Sequence, residues 1–419
     1  MSDSPTLLRD RIALFVATSL LVGAVSAVVY KVVHKVRSES GDSVRVVDTR
    51  SEVNELLRSR VDQPRSADVM ETAVVDDDLP LLVREPITLK EARYFFPQAG
   101  QGRWFDQSMY FARPPSRTLT HKWPEHPDGS YEIKTNSFGM REDRDPSIVR
   151  PGFRILVTGD SHTDGVCPNA DSFPNQLETR LQAMWDKGHV EVLNAGVGGY
   201  NFYNYAGVLK NYAWLEPHVF VMAVYGGNDF SGTVNLQRLF LHRPPANFRR
   251  PPIHKHFMDE SEPGGIAPQE LTQVGLFSDN PDDVAQVIET TQQFTTHVTR
   301  LAEAIGSRVL FVYIPPPFRG QPHLYEREIE IAIEKTGITP DEIAISDRIA
   351  DDWMKHARGS GVEVLDLRPA FRETQDPLYW QKDSHINIRA HHLIGELLVE
   401  KVMRLFKKED KKEGKKEED

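Results

Sequence analysis

The sequence predicts an α/β protein of three layers, α/β/α, built on a five-stranded parallel sheet. Three observations carry that expectation. Between residues 152 and 406, five short runs rich in Val, Ile and Leu recur: FRILVT at 153, VEVLN at 190, HVFVMAVY at 218, SRVLFVYI at 307 and GVEVLDL at 361. Amphipathic stretches with helical spacing alternate with these runs, and polar clusters follow four of them. Near-continuous apolar strands separated by helices imply a sheet buried on both faces, and such sheets are parallel.

The segments follow in order. Residues 12–30, IALFVATSLLVGAVSAVVY, contain no charge and are flanked by Arg9, Arg11, Lys31, Lys35 and Arg37. At ~1.5 Å per residue such a helix nearly spans the ~30 Å hydrocarbon core of a bilayer, so residues 1–35 are expected to form a transmembrane anchor. A cleaved signal peptide is the rival, with Ala24-Val25-Ser26 as its site; the apolar run continues past it, which favours the anchor. Basic residues on the two flanks nearly balance and do not set the orientation. Residues 36–90 are polar and read as a stalk. Residues 91–151 are rich in aromatics interrupted by Pro and Gly, including Trp104, Phe105, Tyr110, Phe111 and Trp123. They are expected to form a small β-leaning extension packed on the main domain, residues 152–406.

Within that domain, Phe173, Leu177, Leu181, Met184 and Trp185 recur at helical intervals. So do Val284, Val287, Ile288, Val298, Leu301 and Ile305, and later Ile394, Leu397, Leu398, Val402 and Leu405. The proline-rich stretch 242–280 has no clear period and is expected to be a flexible cap. Residues 407–419, KKEDKKEGKKEED, are expected to be a disordered, solvated tail.

Composition narrows the function. The chain is 39% hydrophobic and 26% charged with a net charge of −11, so no basic surplus supports a nucleic-acid partner. The single cysteine, Cys167, excludes an internal disulfide and a Cys-based zinc cluster.

In parallel α/β sheets, ligands bind beyond the carboxyl ends of the strands. There the sequence places Gly159-Asp160-Ser161, then Asn194-Ala195-Gly196, then Gly226-Gly227-Asn228-Asp229, and finally DSHIN at 383–387. The chemistry these residues suit is acyl transfer. A serine hydroxyl needs a base to take its proton, and the base needs a third group to fix its tautomer. His385 is the expected base and Asp383 its orienting acid. The backbone N–H groups of Ser161 and Gly196 and the Asn228 amide are the expected oxyanion donors. No metal or organic cofactor is required.

Other readings compete. Ser161 could be a plain helix cap. His391 and His392 are alternative bases, although the final helix should point them elsewhere. Tyr200, Tyr203, Tyr205 and Trp214 could line a groove, with packing the more ordinary role. GDSH, GGND and DSH also superficially match the blocks of two-metal phosphoesterases. Such a site needs about seven to eight ligands, and only His254 and His256 offer a late His-x-His pair.

Gly159-Asp160-Ser161, Gly196, the Gly-x-Asn-Asp of 226–229 and the Asp-x-His of 383–385 resemble the four signature blocks of the SGNH/GDSL hydrolases. TNSFGMRED at 135–143 is similar to a segment found ahead of the first block in bacterial members. The resemblance implies a flavodoxin-like fold and hydrolysis or transfer of carboxylic esters. It implies Ser161, Gly196, Asn228 and His385 as the four named residues, with Asp383 as the triad acid. His162 departs from the usual Leu or Phe, acid and base are two residues apart rather than three, and Ala390 replaces a common glycine. The expectation is a membrane-anchored serine esterase or deacylase whose catalytic domain lies outside the cytoplasm. Its substrate would be an ester-bearing small molecule, glycan or lipid. An O-acyltransferase on a glycan, using the same triad, and a binding module are the alternatives.

Overall fold

The computed structural model describes residues 103–185, 188–241 and 269–413, together with residues 88, 90, 96, 243, 244 and 246. The apolar run 12–30, the stalk and most of the proline-rich stretch lie outside them. Among the described residues no helix is long and apolar enough to cross a membrane.

Two antiparallel hairpins come first: β1 (Trp104–Asp106) with β2 (Tyr110–Ala112), and β3 (Thr118–Lys122) with β4 (Ser130–Lys134). The parallel sheet follows, built from β5 (Phe153–Thr158), β6 (Val190–Asn194), β7 (Val219–Tyr225), β8 (Arg308–Ile314) and β9 (Glu363–Asp366). Its order is β6-β5-β7-β8-β9, all neighbours parallel. Every residue of β5, β6 and β7 is buried; β7 reads as an unbroken apolar run, while the charges inside β5 and β6, Arg154 and Glu191, pair with each other at 2.5 Å. The chain leaves β5 toward β6 and then crosses back to β7. This reversal opens a crevice at the carboxyl ends of these strands.

The helices are α1 (Ser161–Asp164), α2 (Phe173–Met184), α3 (Phe202–Asn211), α4 (Asp229–Phe240), α5 (Gln269–Asp279), α6 (Pro281–Ala304), α7 (Glu326–Thr336), α8 (Ile345–Gly359) and α9 (Ile388–Glu413), joined by a few single turns. Helices α2 and α9 pack together as one layer, while α3, α4, α5, α6 and α8 pack among themselves as the other. The three-layer expectation holds.

Two expectations need correction. The stretch 242–280 is not a flexible cap throughout: residues 269–279 form α5, whose Leu271, Val274, Leu276 and Phe277 are buried. The prolines ahead of this short segment hid its period. The expected tail is also partly ordered, since α9 continues to Glu413 through Lys and Glu, both good helix formers.

Both hairpins are fixed to the crevice. Tyr200 donates its hydroxyl to Phe111 O at 2.5 Å, and Asn204 Nδ2 donates to Met109 O at 2.9 Å. A Cβ at Gly207 would lie 2.0 Å from Ser108 O, so only glycine lets α3 approach the first hairpin this closely. Tyr131 and Ile133 of β4 pack with Val166 and Trp380 in one apolar cluster.

The segment TNSFGMRED links the hairpins to the sheet. Arg141 is fully buried and donates Nε to Asn169 Oδ1 at 3.1 Å, Nη1 to Gly165 O at 2.8 Å and Nη2 to Cys167 O. Glu142 accepts from the Asn194 N–H at 2.7 Å. Arg141 therefore holds the loop behind α1 while Glu142 holds the end of β6.

Candidate active site

Ser161 opens α1 directly after β5. Asp160 caps this turn, accepting from the His162 N–H at 2.9 Å. A Cβ at Gly159 would lie 2.8 Å from Ala223 O and collide with Thr163, so glycine is required where β5 turns into α1.

The sequence DSH reaches the same place from far along the chain. Trp380 N–H donates to His385 O at 2.7 Å and Ser384 N–H to Trp380 O at 3.1 Å, closing a tight turn. Ser384 sits at its centre with φ 62°, a left-handed conformation that costs a non-glycine residue roughly 1–2 kcal/mol. The turn brings both Asp383 oxygens onto His385. Oδ1 accepts the His385 backbone N–H at 3.1 Å, and Oδ2 lies 2.7 Å from Nδ1. His385 Nε2 is then 2.8 Å from Ser161 Oγ. Asp160 Oδ2 lies farther from the hydroxyl, at 3.3 Å, so His385 is its nearer acceptor.

Electrostatics favour a basic imidazole. Burial works against charge on His385, but the Asp383 hydrogen bond and the charges of Asp383, Asp160 and Asp164 raise it above the ordinary histidine value. His162 behaves oppositely. Burial, with smaller contributions from His385 and His391, holds its pKa well below that of free histidine. Its Nδ1 accepts the Ile386 N–H at 3.3 Å. The neutral ring stacks on His385 with centroids 4.7 Å apart, and its other contact is Tyr225 at 3.6 Å. His162 thus gives the flat surface against which His385 rests, a part the sequence did not reveal.

Tracing the backbone donors of the glycine-rich loop corrects one expected residue. Ala195 N–H donates to Val157 O, Val197 to Gly159 O and Tyr200 to Val197 O. Gly196 N–H is held by Asn194 Oδ1 at 3.0 Å, Gly198 by Asp164 Oδ2 at 3.2 Å and Asn201 by Asn204 Oδ1 at 3.0 Å. Gly199 N–H alone in this loop finds no acceptor among the described residues. Gly196 is a packing glycine, where a Cβ would lie 2.6 Å from the Thr163 methyl. Gly198 is the glycine beside Ser161, where a Cβ would meet Ser161 Cβ at 3.4 Å. The Gly-Gly pair signalled the loop without indicating which peptide stays unpaired.

Asn228 stands at the carboxyl end of β7 as the N-cap residue of α4. Asp229 fixes this turn, its Oδ2 accepting from Tyr225 N–H at 2.8 Å and Tyr205 O–H at 2.6 Å. The alternative bases lie elsewhere. His391 Nδ1 accepts from Phe173 N–H at 3.2 Å, and His392 Nε2 faces Asp171 at 3.0 Å. Tyr200, Tyr203 and Tyr205 are buried and pack rather than line a groove. Asp164 is bound by Arg113, with Nε donating to Oδ1 at 2.8 Å and Nη2 to Oδ2. Among the described residues no three His, Cys, Asp or Glu side chains converge as a metal site would need.

Comparison with known proteins agrees on the family. A family model described as "GDSL-like Lipase/Acylhydrolase family" matches residues 157–393. No curated protein matches the chain. Similar solved structures include a lipase/acylhydrolase from Enterococcus faecalis, at 15% identity and TM-score 0.34, covering 60% of this chain and 95% of that one. The acetyl xylan esterase AlAXEase has 13% identity and TM-score 0.36, covering 60% and 100%. The psychrotrophic esterase EstA from Pseudoalteromonas sp. has 12% identity and TM-score 0.32, covering 61% and 98%. With its family model matched across more than half of its length, the chain belongs to the GDSL-like lipase/acylhydrolase family and is a serine esterase acting on ester bonds.

Proposed function

We propose that the protein hydrolyses carboxylic esters with Ser161 as nucleophile, His385 as general base and acid, and Asp383 as the group that orients His385. The observation supporting this is the chain of hydrogen bonds from Asp383 Oδ2 through the imidazole to Ser161 Oγ, at 2.7 and 2.8 Å. Asp383 accepts the Nδ1 proton and so leaves Nε2 free to take the hydroxyl proton. As Oγ attacks the ester carbonyl, its proton passes to Nε2. Collapse of the tetrahedral intermediate returns that proton to the departing alcohol, and water then releases the acyl group by the same path.

The oxyanion is stabilised by the N–H of Ser161, the Asn228 amide and the N–H of Gly199. Gly199 takes the place expected for Gly196, because its donor is the one left over in the loop. The substrate is an ester of a cell-envelope glycan or lipid, and the uncharged run 12–30 anchors the enzyme so that its catalytic domain works outside the cytoplasm. The length of that run and its lack of charge support the anchor.

The test is hydrolysis of short-chain aryl esters by the full chain and by Ser161→Ala, each with and without a metal chelator. Activity lost in the variant and indifferent to chelation is expected. Activity that survives Ser161→Ala and disappears with chelator would overturn the serine mechanism. Adding a glycan alcohol to the wild-type reaction reads transfer against hydrolysis.

A further inference from the structure

The first hairpin brings a guanidinium to the nucleophile. Arg103 immediately precedes β1, and its place is read from the glycines opposite. A Cβ at Gly198 would lie 3.3 Å from Arg103 Nη2 and 3.4 Å from Ser161 Cβ. Arg103 and Ser161 thus stand on either side of one missing methyl group. A Cβ at Gly199 would lie 3.3 Å from Arg103 Nη1.

The guanidinium lies over the Phe111 ring, 4.8 Å from its centroid, a contact that leaves its N–H groups unused. Arg103 donates no hydrogen bond to the described residues and remains partly exposed. The nearby acid, Asp164, is already engaged by two donors of Arg113 and by the Gly198 N–H. Two guanidiniums thus face one carboxylate, and Arg103 is the one without an ion pair among the described residues. Burial lowers its pKa, and Arg113 adds to this against the opposing field of Asp164. A planar cation held beside a nucleophile, with its hydrogen-bonding edge unused, suits a bidentate anion.

We propose that Arg103 binds an anionic group, a carboxylate above all, carried by the substrate close to its ester, and that it sets the enzyme's preference for such esters. This deepens the esterase reading and rests on it. The anion has two possible sources: the acyl chain, as in a half-ester of a dicarboxylic acid, or the alcohol, as in an O-acetylated uronic acid.

The experiment compares kcat/KM for two matched pairs on the full chain. One pair is 4-nitrophenyl hemisuccinate against 4-nitrophenyl butyrate. The other is an O-acetylated glucuronic acid against its methyl ester. Wild type should favour the charged member of one pair, and Arg103→Gln should reduce that charged-to-neutral ratio at least tenfold. Arg103→Lys should recover part of it, because it keeps the charge without the fork. The pair that responds identifies the source of the anion. Ratios that change less than twofold in both pairs would overturn the proposal. Failure of the underlying mechanism shows separately, as neutral-ester turnover that does not depend on Ser161. Calorimetric binding of both charged esters to Ser161→Ala, with and without Arg103→Gln, reads the same contact without turnover; equal affinities would also overturn it.

Discussion

Replacing Arg141 by methionine keeps most of the side-chain volume and removes every side-chain donor. Arg141 is fully buried and serves three acceptors: Asn169 Oδ1, Gly165 O and Cys167 O. Asn169 Oδ1 retains the Lys134 N–H at 3.3 Å, so the two backbone carbonyls are the groups left unsatisfied. A buried acceptor without a partner costs about 1–3 kcal/mol. Two of them give roughly 2–6 kcal/mol, and removing a buried cation that needed those partners offsets part of this. We expect Arg141→Met to lose about 3–4 kcal/mol in equilibrium urea unfolding followed by tryptophan fluorescence, with an unchanged denaturant slope. Arg141→Lys, which keeps the charge but cannot span all three acceptors, should lose less. A loss below about 1 kcal/mol for the methionine variant would refute the claim that this cation holds the loop behind Ser161.

Two further outcomes follow from charge. His385 must be neutral to accept the Ser161 proton and its pKa is raised, so kcat/KM should fall as pH drops through a value above ~6.5. Asp383→Asn removes the hydrogen bond and the charge that raise it; the acid limb should move to lower pH and kcat should fall on the order of 10³-fold or more. A pH–rate profile checks both, and an unmoved limb would count against Asp383 as the partner. The second outcome concerns Glu142, whose pKa burial pushes up to about 8 despite the hydrogen bonds from Asn194 and Asn175. The folded state then keeps a proton that the unfolded chain releases near ~4.3, so Glu142 makes stability decline as pH rises from there to about 8. Thermal unfolding across that range should show a shallower decline for Glu142→Gln than for wild type.

What the sequence made legible depended on what carries the information. The strands could be read because burial on both faces removes polar residues from most positions, and in β7 from all seven. Ser161, Asp383 and His385 could be picked out because their work needs particular side chains, and the structure brings those three together. Backbone donors have no such signature. Gly196 and Gly199 look alike on paper, and only the geometry of the loop shows that one N–H is used internally and the other is not. Pairings across long separations were equally invisible, including Arg113 with Asp164 and the stacking of His162 on His385. Helix α5 escaped notice because the prolines ahead of it obscured a period only three turns long.

Ser161 and His385, the proposed nucleophile and base, are 224 residues apart, with His385 later in the chain. At ~5–20 residues per second, a ribosome needs roughly 10–45 seconds to pass from one to the other. Throughout that interval Ser161 is an alcohol without its proposed base, at the end of a strand whose sheet is not yet complete. The hydrolase cannot attack any ester it meets during its own synthesis. Activity begins only once the Asp383–His385 turn has closed onto the finished sheet, so chemical competence reports that the domain has folded.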